Sequence, residues 1–166
     1  MLYLLDANVL IDAHRDYYSI DRVPEFWDWL KHQGTRGNVK IPVEVYEEIK
    51  QGKDDIAKWA KQDHVKRVLL FEEEADVTLV SRVVDEGYGS DLSDDEVEKL
   101  GRDPFLIAYA FADPGERCVV TTEVSKPKRQ RANRHLPDVC KDLGIQSCDT
   151  FALTRELNFR TSWKII

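Results

Sequence analysis

Asp6 stands directly after the apolar run Leu2–Leu5, and Glu123 just after a second such run, Cys118–Thr121. Asp103 opens the most apolar stretch of the chain, Asp-Pro-Phe-Leu-Ile-Ala-Tyr-Ala, while Glu44, Glu47 and Glu48 crowd one short helical segment. Acids at the carboxyl ends of strands sit where open parallel sheets bind ligands. Brought together, they repel one another unless a cation lies between them. Hard oxygen donors with no matching His or Cys cluster favour Mg²⁺ or Mn²⁺ over zinc. The chemistry such a set serves best is hydrolysis of a phosphate ester, because a divalent ion activates water and offsets charge on the phosphoryl group. Each acid also has a plain structural role open to it. Asp6 and Asp103 can cap the helices that follow them, and Glu47 and Glu48 can be solvated helix charge. Glu44 and Glu48, spaced i and i+4, share a helix face, so either can supply the acid of that segment.

The elements that must hold these residues alternate along the chain. Short apolar runs at Leu2–Leu5, Val39–Ile41, Val65–Phe71, Cys118–Thr121 and Ile145–Cys148 read as strands. Between and after them, Asn8–Ala13, Pro24–Lys31, Val43–Lys50, Asp55–Lys61, Ala75–Val84, Phe105–Ala112, Pro137–Leu143 and Thr150–Leu157 read as helices. Ser93-Asp94-Asp95-Glu96 is a capping box that starts a further helix, and Glu86–Ser93 reads as an exposed loop. Alternation of this kind predicts an α/β fold with a mainly parallel central sheet, as a single domain over residues 1–166.

Composition narrows the function classes. With 166 residues, 42% hydrophobic and 33% charged, the chain can bury a full core without disulfides or a structural metal. Three cysteines with no C-x-x-C spacing support neither a disulfide framework nor a zinc ribbon. No run approaches a transmembrane length, and the start of the chain lacks a basic leader, so no membrane partner and a cytoplasmic location are expected. The net charge of −7 does not suit a protein that coats nucleic acid all over. One stretch departs from that balance: Ser125–Arg134 holds Lys126, Lys128, Arg129, Arg131 and Arg134 and no acid. Setting those five aside leaves 19 basic against 31 acidic residues. Beginning just after Glu123, the stretch is placed to hold RNA phosphates beside the acids, with a solvated loop or an acidic-partner contact as the plainer alternatives. The four histidines have no metal spacing, and the four tryptophans read as core aromatics.

Leu4-Leu5-Asp6-Ala7-Asn8-Val9-Leu10-Ile11, Pro42 to Ile49, Asp103 to Ala110 and Val119-Val120-Thr121-Thr122-Glu123 together resemble, in order, the four motifs of PIN-domain nucleases. More narrowly, Ala-Asn-Val-Leu-Ile-Asp-Ala-His, Phe-Trp-Asp-Trp-Leu, Val-Tyr-Glu-Glu-Ile and Leu-Pro-Asp-Val-Cys resemble a prokaryotic subgroup of DUF4411-type proteins. The resemblance implies a doubly wound α/β/α sandwich and a metal-dependent endoribonuclease. It also implies the toxin of a type II toxin–antitoxin pair, with an antitoxin protein as partner and a homodimer as assembly. Carried over by position, it makes Asp6, Glu48, Asp103 and Glu123 the catalytic acids and the ligands of Mg²⁺ or Mn²⁺. Asn8 and Thr121 become supporting residues, and Glu44 remains an alternative to Glu48. Two departures stand out: the fourth acid is Glu123 where the family usually has Asp, and Lys126 and Lys128 occupy the region where a further Asp often follows. Two other readings compete. A HAD-like phosphatase also places an Asp after the first strand, but its chemistry needs a second Asp where this chain has Asn8. A non-catalytic nucleic-acid-binding or scaffold protein on the same fold is kept open by the altered fourth acid.

Overall fold

The computed structural model describes residues 1–165. Strand β1 (Leu2–Leu5) leads into helix α1 (Ala7–Asp12), which widens into a π-helical turn over Ala13–Tyr17. Helix α2 (Pro24–Thr35), strand β2 (Val39–Pro42) and helices α3 (Val43–Lys50), α4 (Asp55–Ala60) and α5 (Asp63–Leu69) follow. Strand β3 is only Leu70–Phe71. Helix α6 (Val77–Arg82) passes into a second π-helical turn, Val83–Tyr88, before α7 (Asp94–Leu100) and α8 (Asp103–Phe111). Strand β4 (Arg117–Val120), helix α9 (Leu136–Asp142), strand β5 (Gln146–Cys148) and helix α10 (Thr150–Glu156) complete the main elements.

All four strand pairings are parallel, in the order β3-β2-β1-β4-β5. The first half of the chain builds outward from β1 in one direction and the second half in the other. The order therefore reverses between β1 and β4, where the two following connections part and leave a crevice at the carboxyl ends of the strands. The expected parallel α/β architecture is the one observed. Leu4, Leu5, Val9, Leu10, Val39, Ile41, Val119 and Val120 are wholly buried at its centre. Helix α8 is apolar nearly all round, with Leu106, Ile107, Ala108, Tyr109 and Ala110 buried, as a central helix must be. Among the described residues no helix is long and apolar enough to cross a membrane.

Two expected elements are corrected. Val65–Phe71 is helical through Leu69, and only Leu70 and Phe71 are extended. Val65 and Leu69, one turn apart, are both fully buried while Lys66 and Arg67 between them face solvent, a 3.6-residue pattern that tertiary contacts favour over strand propensity. Glu86–Ser93 is not wholly an exposed loop, since Gly87 and Tyr88 are buried in the second π-helical turn. A Cβ on Gly87 would lie 2.7 Å from a Val139 methyl, so the close approach of this turn to α9 requires glycine. The capping box at Ser93 forms as expected, with Glu96 returning the bond.

Candidate functional site

Asp6 is the residue between β1 and α1, and its backbone N–H bonds to the Val120 carbonyl at 2.9 Å, which ties the ends of β1 and β4 together. Its side chain caps nothing. Instead the buried Thr121 hydroxyl donates to Asp6 Oδ2 at 2.9 Å and accepts from the Glu123 N–H at 3.1 Å. Thr121 thus fixes both acids at the point where the sheet order reverses. Burial is the main cause that pushes the Asp6 carboxyl up to about 6; the Thr121 hydrogen bond opposes it, and the charges of Glu123 and Glu48 reinforce it.

Asp103 is the first residue of α8, with Pro104 next, and it too makes no cap. Burial comes first in raising its carboxyl to about 8, followed by the charges of Asp6, Glu123 and Glu48. Among the described residues, no hydrogen bond stabilises its ionised form. The charges of Asp6, Glu123 and Glu48 thus all bear on Asp103. Glu123 is partly committed elsewhere, because its Oε2 accepts from the Leu136 N–H at 2.7 Å, at the start of α9. Among the described residues, no three His, Cys, Asp or Glu side chains are already gathered closely enough to enclose one ion.

The structure separates Glu44 from Glu48. Both carboxylate oxygens of Glu44 take the Tyr109 hydroxyl, at 3.0 and 3.2 Å, in a hollow lined also by Phe71 and Val77. Glu48 is exposed on the next turn of α3 and borders a different hollow with Ala7 and Ile11. Asn8 is exposed on the first turn of α1, so it stands near the acids in sequence without being held against them.

The basic segment divides. Arg131 pairs with Asp91 at 2.8 Å and with Glu96 at 2.9 Å, and Arg134 pairs with Asp142 and donates to the Gly87 carbonyl. These two fasten the segment to α7, α9 and the second π-helical turn, and their charge is spent there. Lys126, Lys128 and Arg129 are exposed. The motif Leu-Pro-Asp-Val-Cys gives no sign in sequence of what its Asp138 does. The buried Asp138 carboxylate accepts from the Ser125 hydroxyl and, at 2.7 Å, from the Lys126 N–H. Burial opposes ionisation of Asp138, but those bonds outweigh it and hold its carboxyl below the usual range. Tyr88 likewise has no signal in the sequence. Its buried hydroxyl has no partner among the described residues, and the charges of Asp103 and Glu123 bear on it.

No curated protein and no solved structure matches the chain. A family model described as "Domain of unknown function (DUF4411)" matches residues 3–161. That span takes in β1, the acids, the basic segment and α10, and the chain belongs to the DUF4411 family.

Proposed function

We propose that the protein is a metal-dependent endoribonuclease of PIN type, hydrolysing RNA phosphodiester bonds. The observation that carries this reading is the placing of Asp6 and Glu123 at the switch point between β1 and β4, where the Thr121 hydroxyl bonds to the Asp6 carboxylate and to the Glu123 backbone N–H. Asp6 stands at the N-cap of α1 without a side-chain capping bond, and Asp103 lies inside α8 as its first residue rather than at its cap. The donor set fits Mg²⁺ or Mn²⁺: it is all carboxylate, and Asp103 is half-buried with no hydrogen bond to its ionised form among the described residues. Asp6, Glu48, Asp103 and Glu123 would hold the ion, which when bound supplies charge neutralisation and an acidified water. The chain's own groups do the rest. Thr121 keeps Asp6 oriented, Asp103 shields one side of the crevice, and Lys126, Lys128 and Arg129 draw RNA phosphates to its rim.

The resemblance extends the proposal to the toxin of a type II toxin–antitoxin pair, cytoplasmic, homodimeric and neutralised by an antitoxin. Co-purification with the product of the adjacent gene tests that part. The bond from Glu123 to Leu136 favours a second reading, a non-catalytic RNA-binding protein in which the fourth acid has become structural. A mixed RNA pool incubated with Mn²⁺ or with EDTA decides between them. The nuclease gives metal-dependent products with 5′-phosphate and 3′-hydroxyl ends, and Asp6→Asn or Asp103→Asn abolishes them. Cleavage that survives EDTA, or that ends in 2′,3′-cyclic phosphate, overturns the mechanism, and binding without cleavage selects the second reading.

A further inference from the structure

A cleft of about 470 Å³ opens beyond the carboxyl ends of β4 and β5, lined by Tyr17, Thr122, Glu123, Ser147, Thr150 and Phe151 among others. Thr121, which bonds to the Asp6 carboxylate, and Glu123 both line this cleft, so it adjoins the acids. Tyr17 and Phe151 come from opposite ends of the chain and meet edge to face, with centroids 5.1 Å apart at 66°. Both remain largely exposed, at 46% and 43%, although most other aromatic side chains of the protein are buried or half-buried. Thr150, also on the lining, is 2% exposed, and its hydroxyl has no hydrogen-bond partner among the described residues. A buried hydroxyl left unpaired beside a cavity marks a missing partner. Lys126, Lys128 and Arg129, all exposed, follow the lining residue Ser125 in sequence.

We propose that this cleft is a nucleobase subsite, taking one unstacked base of a single-stranded RNA whose adjoining phosphate lies at the acids. A planar heteroaromatic ring matches both halves of the lining. It stacks on the Tyr17–Phe151 pair, and its polar edge reaches the hydroxyls of Thr122, Ser147 and Thr150. An aliphatic ligand or an acyl chain would leave the buried Thr150 hydroxyl unsatisfied. Stacking of this kind tolerates every base, because each has a π-face, and it acts only on bases already out of a duplex. The inference rests on the nuclease reading for what the acids do, and on the cleft itself for what it holds.

The test uses the ¹⁵N-labelled full chain in EDTA, titrated separately with AMP, GMP, CMP and UMP and with ribose 5-phosphate. The nucleotides should shift the amides of Tyr17, Thr122, Thr150 and Phe151, and ribose 5-phosphate should not. Tyr17→Ala and Phe151→Ala should each weaken nucleotide binding by about fivefold to a hundredfold, the range for one base–aromatic stack, while Tyr17→Phe should retain it. The comparison of nucleotide with ribose 5-phosphate needs no variant and stands even if an alanine variant folds poorly. Equal shifts from ribose 5-phosphate, or nucleotide shifts confined to Lys126–Arg129, would overturn the subsite. Base-dependent shifts with no cleavage in Mn²⁺ would remove the nuclease reading and keep the subsite, and cleavage without base-dependent shifts would do the reverse.

Discussion

Replacing Asp103 by Asn removes one charge from the acid crevice and keeps the side-chain shape. Its effect on the metal-free protein follows from proton linkage. The folded-state carboxyl sits near 8, against an ordinary value of 3.8, so folding takes up a proton across that interval. A raised acid stabilises the fold fully below about pH 4 and less and less as pH climbs toward about 8, the reverse of a salt-bridged carboxylate. Roughly three pH units separate the ordinary value from neutrality. At about 1.4 kcal/mol per unit, Asp103 withholds at most about 4 kcal/mol at pH 7. Local relaxation reduces that ceiling, and a gain of about 1–2 kcal/mol is expected for Asp103→Asn in EDTA, or about 2–8 °C in Tm for a chain of this length. Thermal melts of parent and variant at intervals from pH 4 to pH 9 measure it. The parent should lose stability steadily up to pH 8, the variant should follow a flatter curve, and the two should converge at the acid end. Added Mn²⁺ should raise the parent's Tm by mass action and the variant's much less. Parallel pH curves, or an equal response to Mn²⁺, would refute the claim that Asp103 is a strained member of an acid set.

Three further outcomes follow from the site. Alanine at Lys126, Lys128 and Arg129 should lower RNA affinity and reduce the log–log salt slope by about 0.7 for each phosphate no longer neutralised, measured by fluorescence anisotropy at several salt concentrations. Alanine at Arg131 should instead leave that slope unchanged and loosen the segment, seen as faster amide exchange over residues 125–134. Thr121→Val removes the hydroxyl that favours ionised Asp6, so the Asp6 carboxyl should titrate above about 6 by carbon-detected NMR, with a stability loss of about 1–3 kcal/mol.

The architecture was legible because local patterns agreed with it: short apolar runs, capped helices and an acid after each of two strands. What stayed hidden depended on contacts between distant parts of the chain. Val65–Leu69 carries strand-like residue types, and only burial against the rest of the fold selects the helical spacing. Glu44 and Glu48 are equivalent on a helical wheel. One turn along the axis is enough to hand Glu44 to Tyr109 and leave Glu48 facing the crevice side. The basic segment showed its charge but not its partners, since Asp91 and Glu96 lie 40 and 35 residues upstream of Arg131. Tyr17 and Phe151 could not be paired from the sequence at all. Each is an ordinary aromatic until the sheet order brings the end of α1 and the start of α10 together.

The central place of β1 in the sheet has a consequence for the protein during its synthesis. Asp6 is made before the rest of the acid set, yet the hydroxyl that orients it belongs to Thr121, 115 positions later. The partner strand β4 and the acid Glu123 arrive with it. A growing chain that has not yet reached β4 can pair β1 with β2 and β2 with β3, but the other edge of β1 then lacks its partner. The crevice forms only when β1 pairs with β4, the paired strands that lie farthest apart in sequence. On the nuclease reading, a protein built this way stays silent until β4, Thr121 and Glu123 have been made and paired with β1.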